Sequence, residues 1–330
     1  MKRLQLSHGG GGEEMGELIS GLFYRHFSNA VLLSAEDAAV LEMKGKIAFT
    51  TDCFTVSPIE FAGGDIGKIA VAGTVNDLSM MGARPKYLSC GFMIEEGLEY
   101  DVLEKVVASM ASELEKSGAL IVCGDTKVVP RGSVDRLFIA TSGIGEVVVE
   151  GISAHAIETG DVILVSRDVG CHGATILASR EGMELFGDLA SDCETLWPSV
   201  EALIESGVRI KAMRDATRGG LSAVLNEWAA ASGICIEAEE ADIPIRDEVK
   251  GLCEMMGFEA ADLANEGTFV VAVEEADAIK ALTVLREFNA TAAIIAKATH
   301  HKPGRVLLRS GWGSVRYLDL PKGELLPRIC

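Results

Sequence analysis

Between Lys68 and Met81 the apolar residues Ile69, Ala72, Val75 and Met80 recur at helical spacing, and the segment stops at Gly82 with Arg84-Pro85 beyond it. That pattern predicts a helix with Asn76 and Asp77 in its middle. A second stripe, Leu103, Val106, Val107, Met110 and Leu114, follows Asp101 and Glu104, which read as a capping box, and ends at Gly118. The run 119–123, Ala-Leu-Ile-Val-Cys, reads as a short buried strand that delivers Gly124-Asp125-Thr126-Lys127 at its end. Residues 137–144 read as another strand.

Residues 151–160 carry no apolar stripe and precede a strong strand at 161–165. This places a domain boundary near residue 150. Beyond it, Leu221, Val224, Leu225 and Trp228 predict a helix over 219–232 with Gly233 as its C-cap. Strands are predicted at 234–237, 268–273 and 292–297, with a helix over 275–287. Strands and helices alternate in both halves, which argues for an α/β or α+β fold with one domain over 1–150 and a second over 151–317. The remaining segment, 318–330, holds two prolines and a glycine and reads as an extended or mobile tail.

Length and composition agree with two soluble domains: 330 residues, 48% hydrophobic and 24% charged. The longest apolar runs fall far short of the roughly 20 residues that span a bilayer. The basic start, Met1-Lys-Arg, has no apolar segment behind it, so it is not read as a secretory signal, and a cytoplasmic protein is expected. A net charge of −19 with no basic stripe speaks against nucleic acid as a partner. The eight cysteines form no CxxC pair and no zinc spacing. Seven lie in apolar or small-residue surroundings and read as buried thiols. Cys330 differs: on a flexible terminus it would be accessible, and only accessible thiols become nucleophiles. A prenylation box would need the cysteine four residues from the end.

Acidic residues recur at predicted junctions: Glu36-Asp37, Thr51-Asp52, Asn76-Asp77, Gly124-Asp125-Thr126 and Asn265-Glu266-Gly267. Magnesium takes oxygen ligands and commonly bridges one or two carboxylates to nucleotide phosphates, so converging acidic loops suit it. Any one of these aspartates, taken singly, is equally at home in an ordinary turn. Asn76 and Asp77 are more telling, because polar groups inside an apolar helix cost stability unless something pairs with them. Gly9, Gly10, Gly11 and Gly12 form a glycine loop or a simple linker, and Arg218-Gly219-Gly220 stands just before a helix, where bare N–H groups and a guanidinium suit a phosphate. Lys127 offers a second positive charge. No GxxxxGK[ST] motif is present, which excludes a P-loop.

In order, the segments Ser7-His-Gly-Gly-Gly-Gly, Glu36-Asp-Ala-Ala-Val, Phe61-Ala-Gly-Gly-Asp-Ile-Gly-Lys, Gly73-Thr-Val-Asn-Asp-Leu, Gly124-Asp-Thr-Lys-Val-Val, Arg214-Asp-Ala-Thr-Arg-Gly-Gly and Asn265-Glu-Gly resemble the aminoimidazole ribonucleotide synthetase-like (PurM-like) superfamily of ATP-dependent enzymes. The terminal Pro327-Arg-Ile-Cys resembles, within it, the carbamoyl dehydratase family of hydrogenase maturation. The resemblance covers nearly the whole chain. It implies a two-domain α/β (α+β) PurM-like fold and a homodimer, with the N-terminal domain contributing to a dimeric β-barrel.

The resemblance further implies ATP and Mg2+ as cofactors. Nucleotide contacts would come from His8, Gly9, Gly10, Gly11, Gly12, Lys68, Asn76, Gly124, Asp125, Thr126, Asp215, Thr217, Gly219, Gly220 and Asn265. Metal ligands would be Asp37, Asp52, Asp77 and Asp125. The implied reaction is ATP-dependent dehydration of a thiocarbamate on Cys330 to a thiocyanate, a source of cyanide for the iron of [NiFe]-hydrogenase. Lys127 and Arg218 would neutralise charge and Glu266 would be the base. A carbamoyltransferase, HypF, would load Cys330, and a HypC–HypD pair would accept the cyanide. A tail free from residue 320 would reach roughly 30 Å. One departure stands out: beside His172 an acidic residue is expected and Cys171 is found, so His172 is left out of the catalytic set. Two other readings remain at this point. The chain could be a PurM-like kinase or synthetase acting on a free substrate, or a non-catalytic nucleotide-dependent scaffold.

Overall fold

The computed structural model describes residues 3–10, 12–35, 38–183, 187–321 and 326–330, so the expected roles of Gly11 and Asp37 lie outside the described residues. The chain opens with a 3-10 turn, Leu6–Gly9, then α1 (Glu13–Leu18) and α2 (Tyr24–Phe27) joined by a wider helical turn. Next come β1 (Ile47–Phe54), the small hairpin β2 (Glu60–Phe61) and β3 (Gly64–Asp65), α3 (Ile66–Met80), β4 (Ala83–Glu95), α4 (Tyr100–Ser117), β5 (Leu120–Val129) and β6 (Leu137–Val147). The long strands form one sheet in the order β1-β6-β4-β5, antiparallel except for the parallel pair β4 and β5.

Helix α3 starts where Asp65 accepts hydrogen bonds from the Gly67 and Lys68 N–H groups (2.8 and 2.9 Å), which satisfies two donors of the first turn. It then crosses the inner face of the sheet and packs against α4. The approach is so close that a Cβ on Gly67 would lie 2.5 Å from the Val106 carbonyl. The expected capping box does not form: Glu99 is the N-cap, Asp101 sits in the first turn, and Glu104 pairs with Arg25 instead. Strand β5 runs past residue 123 because β4 continues beside it to Glu95, so Gly124 to Lys127 lie within a strand and not at its end.

The second half contributes β7 (Val162–Val165), α5 (Cys171–Arg180), α6 (Trp197–Glu205), β8 (Ile210–Asp215), α7 (Gly220–Ser232), β9 (Cys235–Glu239), α8 (Asp247–Met256), β10 (Phe269–Val273), α9 (Ala278–Phe288), β11 (Ala293–Thr299), β12 (Arg305–Arg309) and β13 (Val315–Tyr317). Its sheet has the order β13-β12-β9-β11-β7-β10-β8, with β12 and β9 parallel and the other neighbours antiparallel. One apolar core runs through both halves: Val75 of α3, Leu88 of β4, Trp197 of α6, Phe269 of β10 and Ile329 of the tail belong to the same buried cluster. The α/β reading holds, and so do the helix over α3 and the Gly233 C-cap of α7, whose φ is +70°.

Candidate active site

Strand alternation turns Ala48, Thr50, Asp52 and Phe54 of β1 toward α3 and leaves Ile47, Phe49, Thr51 and Cys53 exposed. Asp52 therefore faces Thr74 of α3, whose hydroxyl lies 3.4 Å from its carboxylate, and Thr50 donates to Asp77 of the same helix (2.6 Å). From the other half, β8 brings Asp215 to its end, followed by Thr217 and Arg218 ahead of α7. Thr50, Asp52, Asp77, Asp215, Thr217 and Arg218 line one cavity of about 640 Å³ together with Glu266 and the C-terminal Cys330. The two halves thus contribute opposite walls, and the chain's own last residue lies between them.

The Asn265-Glu266-Gly267 segment is held so that only the middle side chain is free. Asn265 is fully buried; its Oδ1 accepts from Gly170 N (2.7 Å), and its amide donates to Ala216 O (2.8 Å) and Leu263 O (3.1 Å). Asp192 accepts from the backbone of Glu266 (3.1 Å) and Gly267 (3.0 Å) and from the Thr268 hydroxyl (2.7 Å). Residue 267 must be glycine, because a Cβ there would lie 1.8 Å from the Asp192 carbonyl oxygen. Glu266 itself is 2% exposed, and its Oε1 has no hydrogen-bond partner. A buried, unpaired carboxyl oxygen in a polar cavity is the mark of a group that waits for a ligand.

The electrostatics point the same way. Burial, and then the charge of Asp77, raise Asp52 to about 6. Burial, and then Asp77, raise Asp215 to about 7. Burial, followed by the charges of Asp215, Asp192 and Asp52, pushes Glu266 well above the carboxylate range, against the pull of Arg218. The Cys330 thiol is raised to about 12, chiefly by burial and next by Glu266. Carboxyls that raise one another in this way are short of positive charge. Among the described residues no group of three or more His, Cys, Asp or Glu is gathered tightly enough to hold a metal alone. A magnesium ion here would need phosphate oxygens to complete its shell, which is how that ion is commonly bound.

The remaining expected residues fall elsewhere. Gly219 (φ +77°) and Gly220 (φ +59°) make the sharp entry to α7, and a Cβ on Gly220 would meet the Ala261 carbonyl at 2.4 Å. Asn76 is buried in α3 and bridges Glu194 O (3.0 Å) and Leu196 N (2.7 Å), so its amide ties the two halves together. Lys68 donates to Gly63 O (2.9 Å), nine residues and about 14 Å along α3 from Asp77.

Asp125 and Lys127 form an exposed pair (3.9 Å) on β5, the strand at the opposite edge of the sheet from β1. At about 4.8 Å per strand, Asp125 stands roughly 14 Å from the row of Asp52. Within one chain, then, Asp125 and Asp77 do not share an ion, and Lys127 does not approach Cys330. Beside them Gly9 rests on β5, where a Cβ would lie 2.4 Å from Val128 N, and the buried His8 accepts from Gln5 N through Nδ1 (3.1 Å). Gly10 ends the 3-10 turn and Gly12 is the N-cap of α1. Gly124 leaves no room for a side chain against Cys90 O (2.2 Å), and Thr126 is turned into the core. An apolar cavity of about 210 Å³, walled by Phe23, Phe27, Leu32 and Phe92, opens beside Gly124 and Asp125.

His172, left out of the catalytic set, turns out to hold the tail. Its ring is fully buried, and Nε2 donates to the Ile329 carbonyl (2.8 Å). The sequence signal was faint: a lone histidine between glycines at the start of a helix.

Comparison with known proteins gives consistent answers. The model of the AIR synthase related protein N-terminal domain matches residues 35–147, and that of the C-terminal domain matches 158–309. The chain is 45% identical to the carbamoyl dehydratase HypE of Escherichia coli (strain K12) over 339 aligned residues, which cover all of both proteins. It is similar to a solved structure of the hydrogenase maturation protein HypE in complex with ATP (TM-score 0.96, 45% identity, 99% of this chain and 100% of that one). A structure of a HypE-HypF complex also matches (TM-score 0.80, 44% identity, 92% of this chain and 99% of that one).

Proposed function

The chain belongs to the carbamoyl dehydratase HypE family of AIR synthase related proteins, enzymes of hydrogenase maturation, and we propose that it uses ATP to dehydrate a carbamoyl group carried on its own Cys330. The observation that supports this most directly is the company Cys330 keeps. A terminal cysteine shares one cavity with Glu266, Arg218 and three aspartates. A kinase acting on a free substrate has no use for that arrangement.

The reaction divides into two steps. In the first, the thiocarbamate oxygen attacks the γ-phosphorus of ATP, an O–P bond forms, the bond to the ADP oxygen breaks, and one N–H proton is lost. In the second, the remaining N–H proton is removed, the C–O bond breaks with its electrons leaving on phosphate, and S–C≡N results. Phosphoryl transfer depends on position and charge neutralisation, and Arg218, which lines the same cavity as Cys330, would supply a cation there. Magnesium bound with the phosphates by Asp52, Asp77 and Asp215 would offset the charge that builds on the transferred group. Glu266 is our base for the nitrogen protons. Burial makes its carboxylate more basic than one in water, and its unpaired Oε1 is free to receive a hydrogen.

We further propose HypF as the carbamoyltransferase that loads Cys330, a HypC–HypD pair as the acceptor of the cyanide, and the cytoplasm as the place of work; the matching HypE-HypF complex supports the first of these. No helix among the described residues is long and apolar enough to cross a membrane. We also infer a homodimer closed over the outer face of the first sheet, where Phe49 is 67% exposed. Phe49 borders both that face, which carries Asp125, and the cavity of Cys330. A second copy on this face would bring its own Asp125 and Lys127 toward the mouth of the cavity.

The test is intact mass after incubation with HypF, carbamoyl phosphate, ATP and magnesium, beside Cys330→Ala. We expect gain of one carbamoyl group and then loss of one water, both absent from the variant. An unchanged wild-type mass with active HypF would remove the carrier mechanism.

A further inference from the structure

The last three residues are gripped by their main chain. The Arg328 carbonyl accepts from Ser57 N (3.3 Å) and Arg180 Nη2 (2.6 Å), and that of Ile329 from His172 Nε2 (2.8 Å). One oxygen of the terminal carboxylate of Cys330 accepts from Thr55 N (2.9 Å) and the Thr55 hydroxyl (3.2 Å). Two of these donors, His172 and Arg180, stand at the two ends of α5.

Both are themselves held in place. A carbonyl can only accept, so His172 Nε2 carries the hydrogen. Nδ1 then receives the hydroxyl of Ser191 (2.8 Å), whose oxygen in turn accepts from Cys193 N (3.1 Å). The edge of Phe61 fixes the ring plane at 5.5 Å between centroids. Burial keeps the imidazole below its ordinary pKa and therefore neutral. Arg180 also donates through Nε to Ser57 O (2.7 Å), so one guanidinium joins α5, the 55–57 segment and the tail. Side chains add to this hold: Ile329 is buried, and Arg328 reaches Thr55 O (2.9 Å) and Asp135 (2.7 Å) across the Phe138 ring.

Resting on the carrier reading above, we propose that His172 and Arg180 are positioning residues. They form a clasp on the tail backbone that keeps Cys330 in the Glu266 cavity for dehydration and must open for loading. The clasp reads only carbonyl oxygens, so it is indifferent to what the sulfur carries. It can hold thiol, thiocarbamate and thiocyanate alike. The same geometry predicts that the docked thiol is a poor acceptor for a carbamoyl group, because the half-buried Cys330 sits in a cavity lined by Glu266, Asp52 and Asp215 and only the thiolate attacks.

The experiment is a timed alkylation of the full-length chain with iodoacetamide under native conditions, read as modification of the C-terminal peptide by mass spectrometry, with exposed Cys53 as the internal reference. Wild type, His172→Ala, His172→Gln and Arg180→Ala are compared. Cys330 of the wild type should react much more slowly than Cys53. In the two alanine variants it should react about tenfold faster than in the wild type, as expected for loss of one hydrogen bond. His172→Gln keeps an N–H donor and should lie nearer to wild type. In a second measurement, dehydration of the loaded chain should fall in the alanine variants while the rate of loading by HypF does not. A general loss of structure would lower both. If His172→Ala does not fold, Arg180→Ala, at a half-exposed position, decides alone. An unchanged Cys330 reaction rate in a folded alanine variant overturns the clasp. Because alkylation needs no turnover, that result is distinct from failure of the wild type to take up a carbamoyl group, which would overturn the carrier reading.

Discussion

Replacing Asp215 by asparagine should make the resting protein more stable while ending its activity. Asp215 is buried, and its carboxyl is raised from 3.8 to about 7, first by burial and then by Asp77. A carboxyl raised on folding binds its proton more tightly in the folded state. Stability is therefore fully present below the unfolded value near 4 and is lost as pH rises through 7. At 1.36 kcal/mol per pH unit the penalty at neutral pH approaches about 4 kcal/mol. Asp52 and Asp77 share in the same repulsion and will relax when Asp215 is neutralised, so about half of this, or about 2 kcal/mol, should be recovered. At about 2.1 cal/mol/K per residue the chain's unfolding entropy is about 0.7 kcal/mol/K, so this is a rise in Tm of roughly 3 °C near pH 7.5, shrinking toward zero as pH approaches 4. The assay is thermal unfolding of wild type and Asp215→Asn, free of nucleotide and divalent cations, at half-unit intervals from pH 4.5 to 8. A Tm for Asp215→Asn at or below wild type at pH 7.5, or a wild-type advantage that grows with pH, would refute the reasoning.

Glu266→Gln should still accept a carbamoyl group on Cys330 but lose dehydration by about 10²–10⁴-fold, so that the carbamoylated mass accumulates in a single-turnover experiment. Gly267→Ala forces a Cβ to 1.8 Å from the Asp192 carbonyl oxygen, and either the backbone shifts or the segment unfolds; denaturant unfolding should show a loss of about 2–4 kcal/mol together with loss of dehydration. Asp192→Ala strands three buried donors, and a drop in stability of about 3 kcal/mol or more is expected from the same assay. Mixed dimers of Lys127→Ala and Cys330→Ala chains test the shared site: if Lys127 acts across the dimer, the Cys330-bearing chain paired with a Lys127-bearing copy should keep single-turnover dehydration, and the Lys127→Ala homodimer should not.

What could be read along the chain was whatever local periodicity and a few residues at fixed spacing determine. Helix α3 announced itself through Ile69, Ala72, Val75 and Met80, and α7 through its stripe and Gly233, because burying one helical face demands a 3.6-residue repeat. The family could be read too, since the Asp, Gly and Asn-Glu-Gly motifs and the terminal cysteine survive as short strings. Strand β1 escaped notice because its pattern is inverted. Ile47 and Phe49 stand on the exposed face, while Thr50 and Asp52 point to α3, and a rule that puts apolar residues inward cannot find such a strand. The capping role given to Asp101, and the end given to the strand at residue 123, were overruled by partners distant in sequence, Arg25 and β4.

The composition of the site was decided only by the tertiary structure. The sequence assigned Asp125 and Lys127 to one centre with Asp77 and Cys330, but sheet order puts β5 and β1 at opposite edges and separates them within the chain. It treated Asn76 and Asn265 as ligand groups, whereas the fold engages their amides in internal hydrogen bonds. It passed over His172, whose meaning lies in a carbonyl 157 residues away. Motifs persist along a chain because each residue has a task, but the task depends on what the fold sets opposite the side chain, and spacing alone carries no record of that.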